Sequence, residues 1–249
     1  MSCVFCERDG KLTREHVWPQ WVRPSLDHPD GAGTATRTII RPGGTEERSY
    51  KARPANVVVR SVCEECNGGW MSELEQRAKS VLLPMVEDRG PVTLGATDAE
   101  TVATWAIKTA LVAGSEFDPL IPRQFYAEFY EARAPFGKVR VWIGRTPHLE
   151  THTIDFRPMT VRREGENPPA SPNGYQAVLS VGHLALYVVG WRGPKPQLNR
   201  VFSEFGDTAL VKVWLYEAPV TWPPGATITL ITGLDALADR LAEIVDAAS

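Results

Sequence analysis

The feature that most constrains this sequence is its set of four cysteines, which form two C-x-x-C pairs. Cys3 and Cys6 open the chain, and Cys63 and Cys66 follow after fifty-six intervening residues. A two-residue spacer lets both sulfurs of a pair face one point, which suits a tetrahedral zinc ion. Two disulfides, or thiols that only pack, are the alternatives, but in an intracellular protein paired C-x-x-C motifs more often hold metal. The sequence therefore predicts a Zn²⁺ bound by all four thiolates.

The residues around these pairs include several that could take part in hydrolysis or bind a metal. Glu15 and His16 are adjacent, Asn67 directly follows Cys66, and Asn56 lies shortly before the second pair. A neutral histidine can take a proton from water because its pKa lies near cellular pH. Carboxylate and amide oxygens are hard donors of the kind that Mg²⁺ prefers. For Asn67 the alternative is a structural one, because Asn often caps the helix that follows it.

Taken together, a C-x-x-C pair, an acid–His pair and a second C-x-x-C followed by Asn resemble the zinc-containing branch of the HNH, or His-Me finger, endonucleases. The matching residues are Cys3, Cys6, Glu15, His16, Cys63, Cys66 and Asn67. The resemblance covers about residues 1–80 and departs from the pattern in two ways. The pairs lie further apart than the roughly 15–20 residues of common zinc sites, which predicts an insertion, and a Glu stands where many relatives have Asp.

The resemblance implies a role for each of four residues. His16 is expected to act as the general base, with Asn56 orienting its ring. Glu15 and Asn67 are expected to bind one catalytic divalent cation, Mg²⁺ or Mn²⁺. The zinc is then structural, because four thiolates leave no open position for a substrate. The expected activity is metal-dependent hydrolysis of phosphodiester bonds, and the expected substrate is DNA.

The insertion is predicted to be a β-hairpin. Residues 37–41 and 48–53 flank the turn signal at 42–45, which contains Pro and two Gly. Five basic residues on it could contact a phosphate backbone: Arg37, Arg41, Arg48, Lys51 and Arg53. The alternative is a solvated hairpin whose arginines pair with Glu46 and Glu47.

The order of apolar patterns predicts an α+β fold. The resemblance and these patterns together give a zinc-stapled ββα (His-Me finger) module at 1–83 and an α+β domain of unknown role at 97–249. Residues 84–96 contain Pro and Gly and are predicted to link the two. In the second domain, alternating segments predict a mainly antiparallel sheet, and an apolar stripe predicts a helix at 234–245.

Two predicted helices lie on either side of this linker. The first runs from about Gly69 toward Leu83 by its apolar spacing, and Pro84 is expected to end it. The second is expected to begin at a capping box formed by Thr97 and Glu100.

Composition limits the class of protein. Net charge is −3 and hydrophobic residues make up 43% of the chain, which is ordinary for a globular protein. Residues 1–90 hold equal numbers of basic and acidic side chains, whereas many nucleic-acid-binding domains are basic. This balance favours the alternative function, a non-catalytic zinc-ribbon-like module that binds nucleic acid or protein.

The chain shows no sign of a membrane segment. No secretory leader is expected, because the first residues lack an apolar segment, and no apolar run is long enough to span a bilayer as a helix. The expected location is therefore the cytoplasm, with nucleic acid as the partner and no membrane. The apolar strands could also support a homo-oligomer.

Overall fold

The computed structural model of the chain describes residues 2–25, 33–41, 44–52, 57–115, 121–147, 153–162, 166–167, 169–194 and 209–228. For the strands at 33–41 and 44–52 only the backbone is described. The predictions that concern Arg53, Asn56 and a helix at 234–245 fall outside these residues.

The N-terminal part is built from two antiparallel strand pairs. β1 (Leu12–His16) pairs with β4 (Val58–Cys63), and between them β2 (Gly33–Arg41) pairs with β3 (Gly44–Ala52). The β2–β3 ladder is continuous along both strands. The insertion between the cysteine pairs is therefore a hairpin, as the turn signal predicts.

A helical segment follows β4 directly. It consists of α1 (Glu64–Cys66), a π-helical turn (Asn67–Met71) and α2 (Ser72–Val86). The segment begins before the predicted start at Gly69. The prediction missed its first residues because the paired glycines of the π turn have low helix propensity. It also continues past Pro84, which lies in the last turn of α2.

Five strands form the largest sheet. They are β6 (Val139–Arg145), β7 (Thr153–Met159), β8 (Gly174–Val181), β9 (Leu184–Trp191) and β10 (Leu210–Trp214). Their order is β10-β6-β9-β8-β7, and every neighbouring pair is antiparallel. Together with the helices, this sheet confirms the predicted α+β class.

The helix α3 (Ala96–Gly114) lies at the centre of the molecule. It packs against α2 on one side and against the strands of the large sheet on the other. Every residue from 102 to 114 is buried, which is typical of a helix enclosed by a core. The predicted capping box is wrong, because the helix begins after Gly95 and Thr97 lies inside its first turn. A shorter helix, α4 (Gln124–Ala132), follows.

The segment predicted as a linker, residues 84–96, contains regular structure. Within it, β5 (Val92–Leu94) pairs with β11 (Val220–Trp222). One cluster of buried apolar side chains extends from the cysteines through α2 and α3 to the large sheet. The division into modules at 1–83 and 97–249 stays a prediction, but the two parts share a core. None of the helices in the described ranges is long and apolar enough to cross a membrane.

Candidate functional site

The four cysteines of the sequence converge on one point. Their sulfur atoms all lie within 4.8 Å of one another, close enough to hold a metal ion. The Sγ atoms of Cys6 and Cys63 are 3.6 Å apart, far longer than the roughly 2.05 Å of a disulfide bond. Zinc–thiolate bonds of about 2.3 Å in a tetrahedron place two sulfurs about 3.8 Å apart. The observed separation therefore fits sulfurs that share a metal.

The surroundings of the cysteines also suit a metal. Burial would raise the pKa of Cys3, but backbone hydrogen bonds from Cys6, Cys63 and Phe5 outweigh it and lower that pKa. One of them is the N–H of Cys63, which donates to Cys3 Sγ at 3.4 Å. Burial raises the pKa of Cys66. A cation is needed to keep four enclosed sulfurs as thiolates, because a buried charge is costly unless it is compensated.

The end of β1 directs Glu15 and His16 into one cleft. The pairing of β1 with β4 shifts register between Thr13 and Glu15, where Arg60 and Ser61 stand opposite Arg14 alone, so the extra residue of this β-bulge lies on β4. His16 is the last residue of β1, and the alternation of side chains between opposite faces holds only within a strand. Glu15 and His16 both line the cleft.

The cleft has a volume of about 540 Å³ and lies between β1 and α2. Its β1 wall continues into a 3₁₀ segment, Gln20–Ser25. The opposite wall is one face of α2, whose lining residues recur at helical spacing: Ser72, Glu75, Gln76 and Lys79. Asn67, at the start of the same helical segment, lines it too. Three of the four residues predicted to be catalytic thus share a cleft.

A buried lysine from α3 contacts two acids of this cleft. Lys108 is fully buried, and its ammonium lies 2.7 Å from Glu75 Oε1 and 3.7 Å from Glu15 Oε1. The side chain of Glu15 is only 7% exposed and that of Glu75 is 23% exposed. One ammonium is therefore shared by two carboxylates in a largely dry environment.

The environment of Glu15 changes its protonation. Burial raises the pKa of Glu15 to about 7, the Lys108 ammonium opposes that rise, and the Glu75 carboxylate adds to it. A carboxyl group with this pKa is partly protonated at neutral pH. A further cation beside it would favour the charged form, and groups perturbed in this way are common at functional sites.

Asn67 is held against β1 by its side chain. Its Nδ2 donates to Thr13 Oγ1 at 3.0 Å, and that hydroxyl donates to the backbone oxygen of Val62 at 3.0 Å. The backbone of Asn67 is itself helical, so its side chain does not act as the predicted alternative, an N-cap. With the amide nitrogen bound to β1, the amide oxygen is the atom that Asn67 offers to the cleft.

The remaining predicted site residues are only partly described. Four of the predicted basic residues belong to the strands β2 and β3, of which only the backbone is described: Arg37, Arg41, Arg48 and Lys51. Arg53 and Asn56 lie outside the described residues.

Sequence reasoning missed Lys108 and Glu75. A single lysine in the apolar stretch of α3 is the signal that could have drawn attention, because a fully buried lysine is rare unless it is paired.

Comparisons of the chain with protein-family models, with curated proteins and with solved structures found no match. The cysteine cluster and the cleft beside it are the two features that bear on the class of protein.

Proposed function

We propose that this protein is a metal-dependent endonuclease of the HNH, or His-Me finger, type that hydrolyses phosphodiester bonds in DNA. The observation that carries the proposal is that Glu15, His16 and Asn67 line one cleft, although a long insertion separates Asn67 from the other two. A β1–β4 strand pair that leads into a helix, with four cysteines at its base, supports a ββα-metal finger.

The four cysteines fit a structural Zn²⁺ in this proposal. Cys3 and Cys6 precede β1, whereas Cys63 and Cys66 lie where β4 joins the helical segment. A metal bound by both pairs would fix β1 relative to α2, and these two elements are the walls of the cleft. Its role is positional, because four thiolates complete the coordination of zinc.

The polar groups of the cleft fit three roles in hydrolysis. His16 is the general base that takes a proton from the attacking water. The carboxylate of Glu15 and the amide oxygen of Asn67 are hard donors suited to Mg²⁺ or Mn²⁺. Such a cation supplies charge stabilisation at the phosphate and at the leaving oxygen. Asn56 as the group that orients the ring of His16 remains a prediction.

A plasmid-nicking assay with zinc-loaded, full-length protein tests the proposal. We expect nicked and linear products in Mg²⁺ or Mn²⁺ and none after EDTA treatment mild enough to leave the zinc bound. His16→Ala should retain its zinc and its circular dichroism spectrum but lose about 10²–10⁴-fold in rate, because a positioned base typically contributes that much.

The matched control is a histidine outside the cleft. His183 lies in the turn between β8 and β9, with its Nδ1 atom 3.1 Å from the backbone oxygen of Thr146. His183→Ala should therefore cleave at the wild-type rate. A wild-type protein that binds DNA but does not cleave it with either cation would refute the enzyme and favour the zinc-ribbon-like binding module.

A further inference from the structure

Lys108 contacts the cleft from α3, and the proposed function gives it no role. It belongs to α3, in the part of the chain for which no role is predicted from sequence. Its side chain is fully buried, yet its ammonium reaches two carboxylates that line the cleft, at 2.7 Å for Glu75 and 3.7 Å for Glu15.

Stability alone does not account for this lysine. A buried ammonium loses its hydration, and replacing a buried ion network by apolar side chains of similar volume is often neutral or stabilising. The neighbours of Lys108 along α3 are apolar or small, including Ile107, Ala110 and Leu111, so a methionine would suit the same helix. What methionine would not provide is a fixed point for the two carboxylates.

We propose that Lys108 is a positioning residue that holds the Glu15 carboxylate in the orientation required for cleavage, so that α3 forms the rear of the site. This inference rests on the proposed function. Two carboxylates that share a site repel each other, and the ammonium between Glu15 and Glu75 offsets that repulsion. Oε1 of Glu15 is the carboxylate oxygen that lies 3.7 Å from the ammonium, so this contact restricts rotation of the carboxylate.

The same network sets the charge of the cleft. When Glu15 is ionised, the form that a bound cation favours, one ammonium and two carboxylates leave one formal negative charge. Lys108→Met therefore has two effects of opposite sign. It doubles the negative charge available to a divalent cation, and it removes the contact that orients Glu15.

These two effects separate binding from rate. In Lys108→Met, assayed at an alkaline pH at which Glu15 is ionised, we expect Mn²⁺ to bind roughly tenfold tighter or more, because a positive charge a few ångströms away is gone. The cleavage rate at saturating Mn²⁺ should nevertheless fall about 10²-fold, since a displacement of about 1 Å in a catalytic group can cost that much. Loss of folding would not give this combination, because it would weaken Mn²⁺ binding as well as cleavage.

Glu75 provides the matched second site. Glu75→Gln removes one negative charge and should weaken Mn²⁺ binding. In the double variant Lys108→Met/Glu75→Gln the formal charge returns to that of the wild type. Mn²⁺ affinity should then return to the wild-type value, whereas the maximal rate stays low because Glu15 still lacks its partner. Lys212→Met, which removes a lysine paired with Glu217 outside the cleft, should change neither quantity.

The experiment measures Mn²⁺ binding by isothermal titration calorimetry and cleavage across a Mn²⁺ series, on full-length protein with its zinc retained. If Lys108→Met cleaves at the wild-type rate at saturating Mn²⁺, the inference about Lys108 is wrong, but the proposal that the protein is a nuclease still stands. Weaker Mn²⁺ binding by that variant would overturn it as well. Absence of cleavage by the wild-type protein would refute the nuclease and this inference together.

Discussion

Trp105 joins the two parts of the chain, and its removal should show whether they unfold as one unit. Its indole is fully buried in α3, with ring centroids 6.3 Å from Trp18 and 6.0 Å from Trp21. Both partners follow His16 in the N-terminal part. Truncating a buried Trp to Ala costs about 3–5 kcal/mol, from lost transfer energy and the cavity left behind. At roughly 2–4 °C per kcal/mol for a chain of this size, Trp105→Ala should lower Tm by about 10 °C.

The assay follows unfolding in urea with two probes of different parts. Zinc release, read with a chromogenic chelator, reports the cysteine cluster, and far-UV circular dichroism reports the whole chain. Because one apolar cluster extends across both parts, the two transitions should coincide in the wild type and shift together in Trp105→Ala.

The control is a tryptophan remote from the cysteines. Trp142 lies in a separate apolar cluster of the large sheet, 5.6 Å from the ring of Tyr187. If the chain is one cooperative unit, Trp142→Ala should also move zinc release to lower urea. Zinc release that stays at the wild-type midpoint, while the dichroism transition moves, would refute the shared-core reasoning and support independent modules.

Three further predictions concern other sites. Cys63→Ser should lower the amount of bound zinc, measured by atomic absorption. It should also destabilise residues 1–80, because a structural zinc site contributes folding energy. Unchanged stability in the zinc-free variant would contradict the structural role of the metal. Asn67→Ala and Glu15→Ala should each raise the Mg²⁺ concentration needed for half-maximal cleavage, with bound zinc unchanged. Glu15→Asp should raise it less. If all three variants show the same Mg²⁺ dependence as the wild type, the cation binds elsewhere. A hydrogen bond from Arg145 lowers the pKa of Asp88, so Asp88→Asn should cost about 1 kcal/mol at neutral pH. The stabilisation by the Asp88–Arg145 pair is lost as the pH falls from about 4 through the lowered pKa of Asp88. The urea midpoints of Asp88→Asn and wild type should therefore differ at neutral pH and become equal in acid.

Patterns that lie within a short stretch of sequence predicted the corresponding structure well. The two C-x-x-C pairs predicted that all four cysteines meet, because each pair is a local motif that supplies only two of the four ligands of a tetrahedral metal. The turn signal at 42–45 predicted the hairpin, and alternating apolar segments predicted the antiparallel sheet.

Features that depend on contacts between distant segments were not predictable. The network of Glu15, Glu75 and Lys108 joins three elements, and no spacing in the sequence relates them. Pairing with β11 makes β5 a strand within a Pro- and Gly-containing stretch that the sequence predicts as a linker. The strand was not predictable because its partner lies over a hundred residues away in the chain. Thr97 and Glu100 match a capping box, but the helix begins before them, since Ala96 and Thr97 are both helical and Gly95 is the N-cap.

The hairpin between the cysteine pairs has a consequence for how this chain could vary. Cys3 and Cys63 lie together at one end of a closed loop, and the hairpin lies inside that loop. The entropy of closing a loop grows only with the logarithm of its length. Lengthening the interval from roughly 17 to 56 residues therefore costs about 1 kcal/mol. Hairpins of many lengths should be exchangeable here, because the closure is made by the cysteines and by β1 with β4.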